Sequence, residues 1–171
     1  MHTKDLNAGE PGTDAFFDLV RSGWKFRLFM LKNLPAAFFS GLRLEYIDAT
    51  RAAISIPFKW LTQNPFRSTY FASLSMAAEM STGILGMAHI YKRNPAVSML
   101  VTEIEGRFHK KATDITVFEC IQGSDIKNTI QQAITTNNPH SIKVLSTGYN
   151  KSKDIVAEFW ITWSFKVKSR P

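Results

Sequence analysis

The sequence predicts an α+β domain in which a curved antiparallel sheet wraps around one long helix. Residues 69–89 are apolar nearly all round, which is typical of a helix buried on most sides. Residues 154–168 alternate apolar and polar side chains with a period of two, which indicates a strand with one buried face. Because such a sheet needs apolar filling on its concave face, we expect the helix to supply it.

The remaining elements follow from periodicity and turn residues. Residues 14–32 form an extra N-terminal helix, which Pro35 ends. We expect strand 97–111 to pair back on strand 114–122, and Ser124 to cap an amphipathic helix over residues 124–136. The other predicted strands cover residues 43–48, 52–57 and 141–149.

Length and composition favour one domain. The chain has 171 residues, and we expect a flexible N-terminal tail over residues 1–13 followed by a single domain over residues 14–171. The tail lacks the basic start and apolar block of a signal peptide. A single cysteine, Cys120, excludes an internal disulfide and a cysteine-based zinc site, and it fits a reducing, cytoplasmic setting. His89 and His109 lack neighbours at ligand spacing, so we expect no metal.

The charge of the chain leaves three classes of partner open. The net charge of +7 fits nucleic acid, an anionic membrane or a phosphate-bearing ligand. The basic residues are scattered and form no recognisable nucleic-acid motif, so no nucleic-acid partner is expected. The most apolar stretch, residues 66–90, contains Glu79 near its centre, which argues against a transmembrane segment. The N-terminal helix, with Leu28 and Leu31, could touch a membrane or an acyl chain, although packing on the sheet is favoured.

Glu79 is the most unusual residue of the apolar helix. It is the only charged side chain between Arg67 and His89, and a lone carboxylate in apolar surroundings must be paired, protonated or open to a cavity. It could face a substrate cleft or a second subunit, or form an ion pair at a subunit contact. Helical spacing places it on a stripe of small and polar residues: Ala72, Ser75, Met76, Thr82, Gly83 and Gly86.

The segment from Asn64-Pro65 to Ala78-Glu79 resembles the loop and helix of hotdog-fold acyl-CoA thioesterases of the phenylacetate-pathway type. That family has an Asn-Pro turn, a His-Gly-Gly helix start and a helix carboxylate two turns later. The resemblance implies that Glu79 is the general base or nucleophile and that Asn64 positions the thioester or water. It also implies that the backbone N–H of Phe71 polarises the thioester carbonyl. A loop of this size could fold the Asn64 amide back toward the middle of the helix.

The chain departs from the family at the helix start. Tyr70 replaces the histidine, and Phe71 and Ala72 replace the two glycines, which removes a donor and adds bulk. Ser98 is the nearest match to the family's Ser or Thr on the strand after the helix. No cofactor is expected; coenzyme A, as part of the substrate, needs basic contacts for its phosphates. The residues expected to supply them are Arg67, Arg107, Lys110 and Lys111.

The resemblance therefore implies an acyl-CoA thioesterase that works as a homodimer or a dimer of dimers, with sites at the subunit contact. A non-catalytic binder of acyl-CoA or another apolar acid is the alternative, supported by the bulky Tyr70-Phe71 pair. An acyl-thioester dehydratase ranks lower, because it needs a loop histidine and the sequence has none between His2 and His89.

Overall fold

The computed structural model describes residues 11–168, which form a six-stranded antiparallel sheet with helices packed against it. The strand order is β1-β2-β4-β5-β6-β3, so β1 and β3 are the edges. The helices are α1 Pro11–Arg21, α2 Gly23–Asn33, α3 Pro35–Ser40, α4 Phe71–Ile90 and α5 Gly123–Thr136. The strands are β1 Arg43–Ile47, β2 Ala52–Ile56, β3 Val97–Phe108, β4 Thr116–Cys120, β5 His140–Tyr149 and β6 Ile155–Val167.

Helix α4 is the predicted central helix, and the structure confirms the fold class. It packs against five strands, from β2 through β4, β5 and β6 to β3, and also against α1 and α5. Its glycines allow close approach of the sheet: a Cβ at Gly83 would lie 3.0 Å from the Trp163 ring, and one at Gly86 3.0 Å from the Met99 methyl. The inward residues of β6, from Ala157 to Phe165, complete the core under this helix.

The N-terminal region is more divided than its periodicity predicted. The single helix expected over residues 14–32 breaks at Ser22, whose extended backbone separates α1 from α2. Pro35 ends α2 as predicted, but it also begins α3, because proline is well suited to the first helical position. The predicted tail reached residue 13, yet α1 already includes residues 11–13. The rest of that tail lies outside the described residues.

One predicted strand pairing was wrong. Strand β3 pairs along its whole length with β6, from Val97 opposite Val167 to Phe108 opposite Ala157, whereas β4 lies between β2 and β5. The long alternating face of β6 offers β3 a more extensive partner than the five-residue β4 could. Residues 109–115 therefore cross the sheet end, where the Thr69 N–H donates to the Ala112 carbonyl at 2.7 Å.

The predicted helix cap was also wrong. Gln122, not Ser124, precedes α5, and no side chain caps this helix. The first residue of α5, Gly123, lies against the backbone of Ala49 and Thr50, where a Cβ would clash. Its amide donates to the Thr50 carbonyl at 2.8 Å, so a backbone contact with the β1–β2 turn fixes the start of the helix.

Substitution at Gly148 should destabilise the sheet. A Cβ there would lie 2.5 Å from the ring of Phe118, which is fully buried and cannot move freely. We expect Gly148→Ala to lower the free energy of unfolding by about 1–3 kcal/mol through overpacking, measured by urea denaturation. Gly23→Ala is the matched control, because nothing lies within 4 Å of its Cβ position. Equal stability of the two variants would contradict the packing described.

Candidate active site

Glu79 lies half-buried near the middle of α4, beside Gly83 and Trp163. Its Oε1 atom is 3.3 Å from the position a Cβ at Gly83 would occupy. Among residues 11–168, no hydrogen bond or ion pair engages its carboxylate. Burial raises the pKa of the Glu79 carboxyl above its ordinary value, because desolvation disfavours the charged form. An ion pair at a subunit contact, the alternative interpretation, stays a prediction.

The Glu79 carboxylate borders a cavity of about 320 Å³, which we call the Glu79 cavity. Its walls are almost entirely apolar, with the amide of Asn33 as the other polar side chain. Helices α1 and α2 form one wall, α4 another, and β3 and β6 supply the floor. The lining side chains besides Glu79 and Gly83 are Phe16, Phe26, Phe29, Asn33, Leu34, Met80, Ile84, Met87, Met99 and Trp163.

Trp163 is held in this floor by the helix. Its indole Nε1 donates to the Thr82 hydroxyl at 2.9 Å, and that hydroxyl donates to the Glu79 carbonyl at 2.9 Å. The indole donor is thus satisfied without engaging the Glu79 carboxylate, which stays available. Sequence reasoning had placed Trp163 only on the inward face of the last strand. The contact that identifies Trp163 as a site residue, with the polar stripe of α4, is visible only in the structure.

A second cavity, the loop cavity, has a volume of about 450 Å³ and lies at the N-terminal end of α4. It brings together five of the predicted site residues: Asn64, Tyr70, Phe71, Lys110 and Lys111. Phe108, at the end of edge strand β3, also lines it. The predicted base, Glu79, borders the other cavity, so the loop and the carboxylate do not meet within one protomer.

The Asn64 side chain holds its own loop together. Its Oδ1 accepts from the Phe66 N–H at 3.0 Å and from the Ser68 N–H at 3.2 Å, and its Nδ2 donates to the Ser68 hydroxyl at 3.1 Å. The expected reach of this amide toward the middle of α4 is therefore not seen. Asn64 instead fixes the segment that leads into the helix.

The N-terminus of α4 is open. Tyr70 occupies the cap position, no side chain caps the helix, and no described residue accepts from the Phe71 N–H. Free N–H groups and the positive end of the helix dipole make such a terminus attractive to a developing negative charge. The rings of Tyr70 and Phe71 pack edge to face at 4.9 Å and are exposed, so they do not block the Glu79 cavity.

The other predicted site residues lie apart from Glu79. The Ser98 hydroxyl donates to the Lys166 carbonyl at 3.1 Å, between neighbours Val97 and Met99 that face α4, so Ser98 faces away from the helix. Arg107 lies over the Trp160 ring, 4.8 Å from its centroid, and 3.5 Å from Glu105. Arg67 is exposed in the loop. Lys110 forms an ion pair with Asp154 at 3.0 Å.

Phe71 and Glu79 are too far apart to act on one carbonyl from the same protomer. Eight residues separate them along α4, which corresponds to roughly 12 Å. A base and an oxyanion donor must both come within about 3 Å of the reacting atoms. A site that uses both groups therefore needs two protomers.

The comparison with known proteins concerns structures, because no family model and no curated protein sequence matches the chain. A probable thioesterase from Pseudomonas aeruginosa is 16% identical, with 85% of this chain and 96% of that one covered and a TM-score of 0.72. The E. coli PaaI protein from the phenylacetic acid degradation operon is 13% identical, with 85% and 94% covered and a TM-score of 0.59. The chain has the hotdog fold.

A third solved structure is similar over nearly the whole length of the chain. A Chlorobaculum tepidum protein of unknown function is 17% identical, with a TM-score of 0.74, and the match covers 95% of this chain and 100% of that one.

No described helix of the present chain combines the length and apolar character needed to cross a membrane.

Replacing Glu79 should reveal its raised pKa through stability. In the unfolded chain this carboxyl ionises near 4.5, and in the folded protein it ionises at higher pH. Wild-type stability should therefore fall as pH rises from about 4.5 through the raised pKa, because the folded state binds the proton more tightly. Glu79→Gln cannot lose that proton, so we expect it to be more stable than wild type at neutral pH. Thermal denaturation at several pH values measures the difference.

Glu105→Gln is the opposite control. Lys143 lowers the pKa of the exposed Glu105 carboxyl, so its ionised form favours the folded state above its ordinary pKa. This variant should be no more stable than wild type at neutral pH. A Glu79→Gln protein that is less stable than wild type at neutral pH would show that ionised Glu79 has a partner in the folded protein.

Proposed function

We propose that this protein hydrolyses an acyl-CoA thioester to a free acid and coenzyme A, with Glu79 as the general base. The observation that carries the proposal is an unpaired carboxylate of raised pKa at the wall of an apolar cavity. Such a group can accept a proton from water near neutral pH, where an ordinary glutamate is a weak base. The thioesterase names of several structural neighbours favour this reaction over others.

The two cavities fit the two ends of such a substrate. The Glu79 cavity suits an acyl group, because it is apolar and of a size typical of small-molecule pockets. The loop cavity offers Lys110 and Lys111 to the coenzyme A phosphates. The thioester would lie between them, where water activated by Glu79 adds to the carbonyl carbon. The carbon–sulfur bond then breaks, and the thiolate leaves and takes up a proton.

A homodimer would bring the two cavities together. Edge strand β3 is twelve residues long and leaves one row of backbone groups unpaired, with Leu100, Ile104 and Phe108 exposed beside it. Unprotected edges of this length pair readily with another strand. Pairing with the β3 strand of a second copy would satisfy these groups and cover the apolar side chains.

The geometry of β3 supports a shared site. Met99, near the start of the strand, lines the Glu79 cavity, and Phe108, at its end, lines the loop cavity. These residues are nine positions apart, or about 30 Å in an extended strand. Antiparallel pairing about the middle of β3 would set the Met99 end of one protomer beside the Phe108 end of the other. Glu79 would then approach the Phe71 N–H of the partner subunit, which could hold the developing oxyanion.

Two substitutions separate the roles of base and oxyanion donor. Glu79→Gln should lower kcat by about 10²–10⁴-fold, because no group then accepts the proton from water. Phe71→Pro should lower kcat by about 10²–10³-fold, since proline removes the N–H, together with the ring, at a helix position that tolerates proline. Phe71→Ala keeps the N–H and is the matched control. Free thiol release from a panel of acyl-CoA thioesters measures each rate.

Mixing the two inactive variants tests whether the site is shared. After joint refolding, half of the dimers should carry one Glu79→Gln and one Phe71→Pro chain, each with one intact site. Activity should return to about a quarter of wild type. No recovery, with mixed dimers shown to form, would place both groups in one protomer and contradict the shared site.

The non-catalytic alternative keeps one observation in its favour, because the family's His-Gly-Gly is absent and Tyr70 and Phe71 line the loop cavity. It predicts acyl-CoA binding without turnover for wild type and Glu79→Gln alike. Equilibrium binding measured beside the thiol assay distinguishes the two functions. Equal hydrolysis by wild type and Glu79→Gln would instead remove Glu79 from the mechanism.

The wall formed by α2 should set the acyl-chain preference. Phe29 lines the Glu79 cavity, so Phe29→Ala enlarges it and Phe29→Trp fills it. We expect the best substrate to become longer in the first variant and shorter in the second, because each methylene in an apolar pocket is worth about 1–3 kcal/mol. Phe39→Ala is the control, since Phe39 is exposed and lines neither cavity. An unchanged chain-length profile of kcat/KM would place the acyl group elsewhere.

A further inference from the structure

The outward face of α2 carries three large apolar side chains that no described element covers. Trp24 is 66% exposed, Leu28 55% and Leu31 42%. Their spacing of four and three residues places them on one stripe of the helix, which we call the α2 patch. The opposite face, where Phe26 and Met30 are buried, packs on the protein. The sequence favoured packing on the sheet, but the main neighbours of α2 are the helices α1 and α3.

Positive charges flank the α2 patch on both sides. At 100° per residue, Arg27 lies on one side of the stripe, and Lys25 and Lys32 lie on the other. Helix α2 contains no acidic residue. An exposed apolar stripe that contains tryptophan and is bordered by lysine and arginine suits the interface of an anionic bilayer.

The neighbouring elements continue this character. Phe39 at the end of α3 and Trp60 and Leu61 in the short 3₁₀ turn are exposed. The Lys59 amine donates to the Phe39 carbonyl at 2.9 Å and joins the two segments. Arg27 lies over the ring of Phe38, 4.7 Å from its centroid, which connects α2 to α3. Exposed aromatic and basic residues thus extend from α2 into adjacent structure.

We propose that the α2 patch docks this protein on the surface of an anionic membrane. A second copy of the chain is a poorer occupant, because a two-fold contact through α2 would place the cationic borders of both helices near each other. An anionic bilayer instead complements both borders and the net charge of +7. Leu34, which is exposed and follows α2, also lines the Glu79 cavity, so docking places a wall of that cavity near the lipid.

Vesicle flotation of the full chain tests the docking. We expect binding to phosphatidylcholine vesicles that contain phosphatidylglycerol, at least tenfold weaker binding to phosphatidylcholine alone, and weakening by salt. Trp24→Ala with Leu28→Ser should abolish the binding. Lys25→Gln with Lys32→Gln should weaken it roughly fivefold per lysine.

Matched control variants remove exposed apolar and lysine side chains outside the α2 patch. Ile121→Ser removes an exposed apolar side chain on the β4–α5 connection, and Lys127→Gln with Lys151→Gln removes two exposed charges. Both should bind vesicles as wild type does. Circular dichroism and thermal melting establish that each variant is folded before binding is compared.

Quenching by brominated lipid locates the contact. Tryptophan fluorescence should be quenched in anionic vesicles, and Trp24→Phe should lose most of that quenching whereas Trp160→Phe should not. Absence of vesicle binding at low salt, or equal loss in patch and control variants, would overturn the proposal. So would self-association that Leu28→Ser abolishes, which would identify a second copy as the occupant. Docking does not depend on hydrolysis, so Glu79→Gln should still bind vesicles.

Discussion

The rest of the structure depends on the need to surround one apolar helix. Helix α4 has almost no polar face, so water must be excluded from nearly its whole length. The sheet covers one side, and Gly83 and Gly86 let the Trp163 and Met99 side chains approach closely. Helix α1 packs on the helix from the other side. Glu79 lies where this cover is incomplete, and the gap between α2, α4 and the sheet is the Glu79 cavity. The unusual carboxylate and the cavity therefore have one origin.

The sequence predicted those parts that depend on local pattern. The periodicity of α4 and β6 determined the core, and the lone charge of Glu79 among apolar residues marked it before any geometry was known. Sequence patterns do not identify partners that are distant along the chain: β3 pairs with β6, at separations from Phe108 opposite Ala157 to Val97 opposite Val167, and not with the next strand. The break falls at Ser22-Gly23, a dipeptide common in turns, but neighbouring apolar residues continue the helical spacing across it and hide the break. The Glu79 cavity could not be foreseen, because its walls come from five separate elements.

The separation of the predicted site residues has a physical explanation in the length of α4. Helix α4 begins at Phe71 and carries the Glu79 carboxylate about two turns later. The Phe71 N–H and the Glu79 carboxylate therefore lie in different surroundings. The first faces the loop cavity and the second faces the Glu79 cavity. Sequence spacing gives the distance along the chain but not which protomer supplies each group. Strand β3 lines both cavities at its two ends, and in the proposed homodimer the pairing of its free edge would complete the site.

Helices α2 and α4 show how one sequence property leads to two structural outcomes. Both helices carry apolar residues on opposite faces, but α2 also contains Lys25, Arg27 and Lys32, whereas α4 contains no lysine or arginine. Helix α4 is enclosed because its partners are strands and helices of its own chain. Helix α2 buries Phe26 and Met30 and leaves Trp24, Leu28 and Leu31 exposed, with cations on either side. Lysine and arginine distinguish the two helices. A helix face that packs in the protein interior rarely carries charge, whereas an apolar face bordered by lysine and arginine suits an anionic surface. Charge placement, read together with exposure, separates a buried helix from one that has its partner outside the chain.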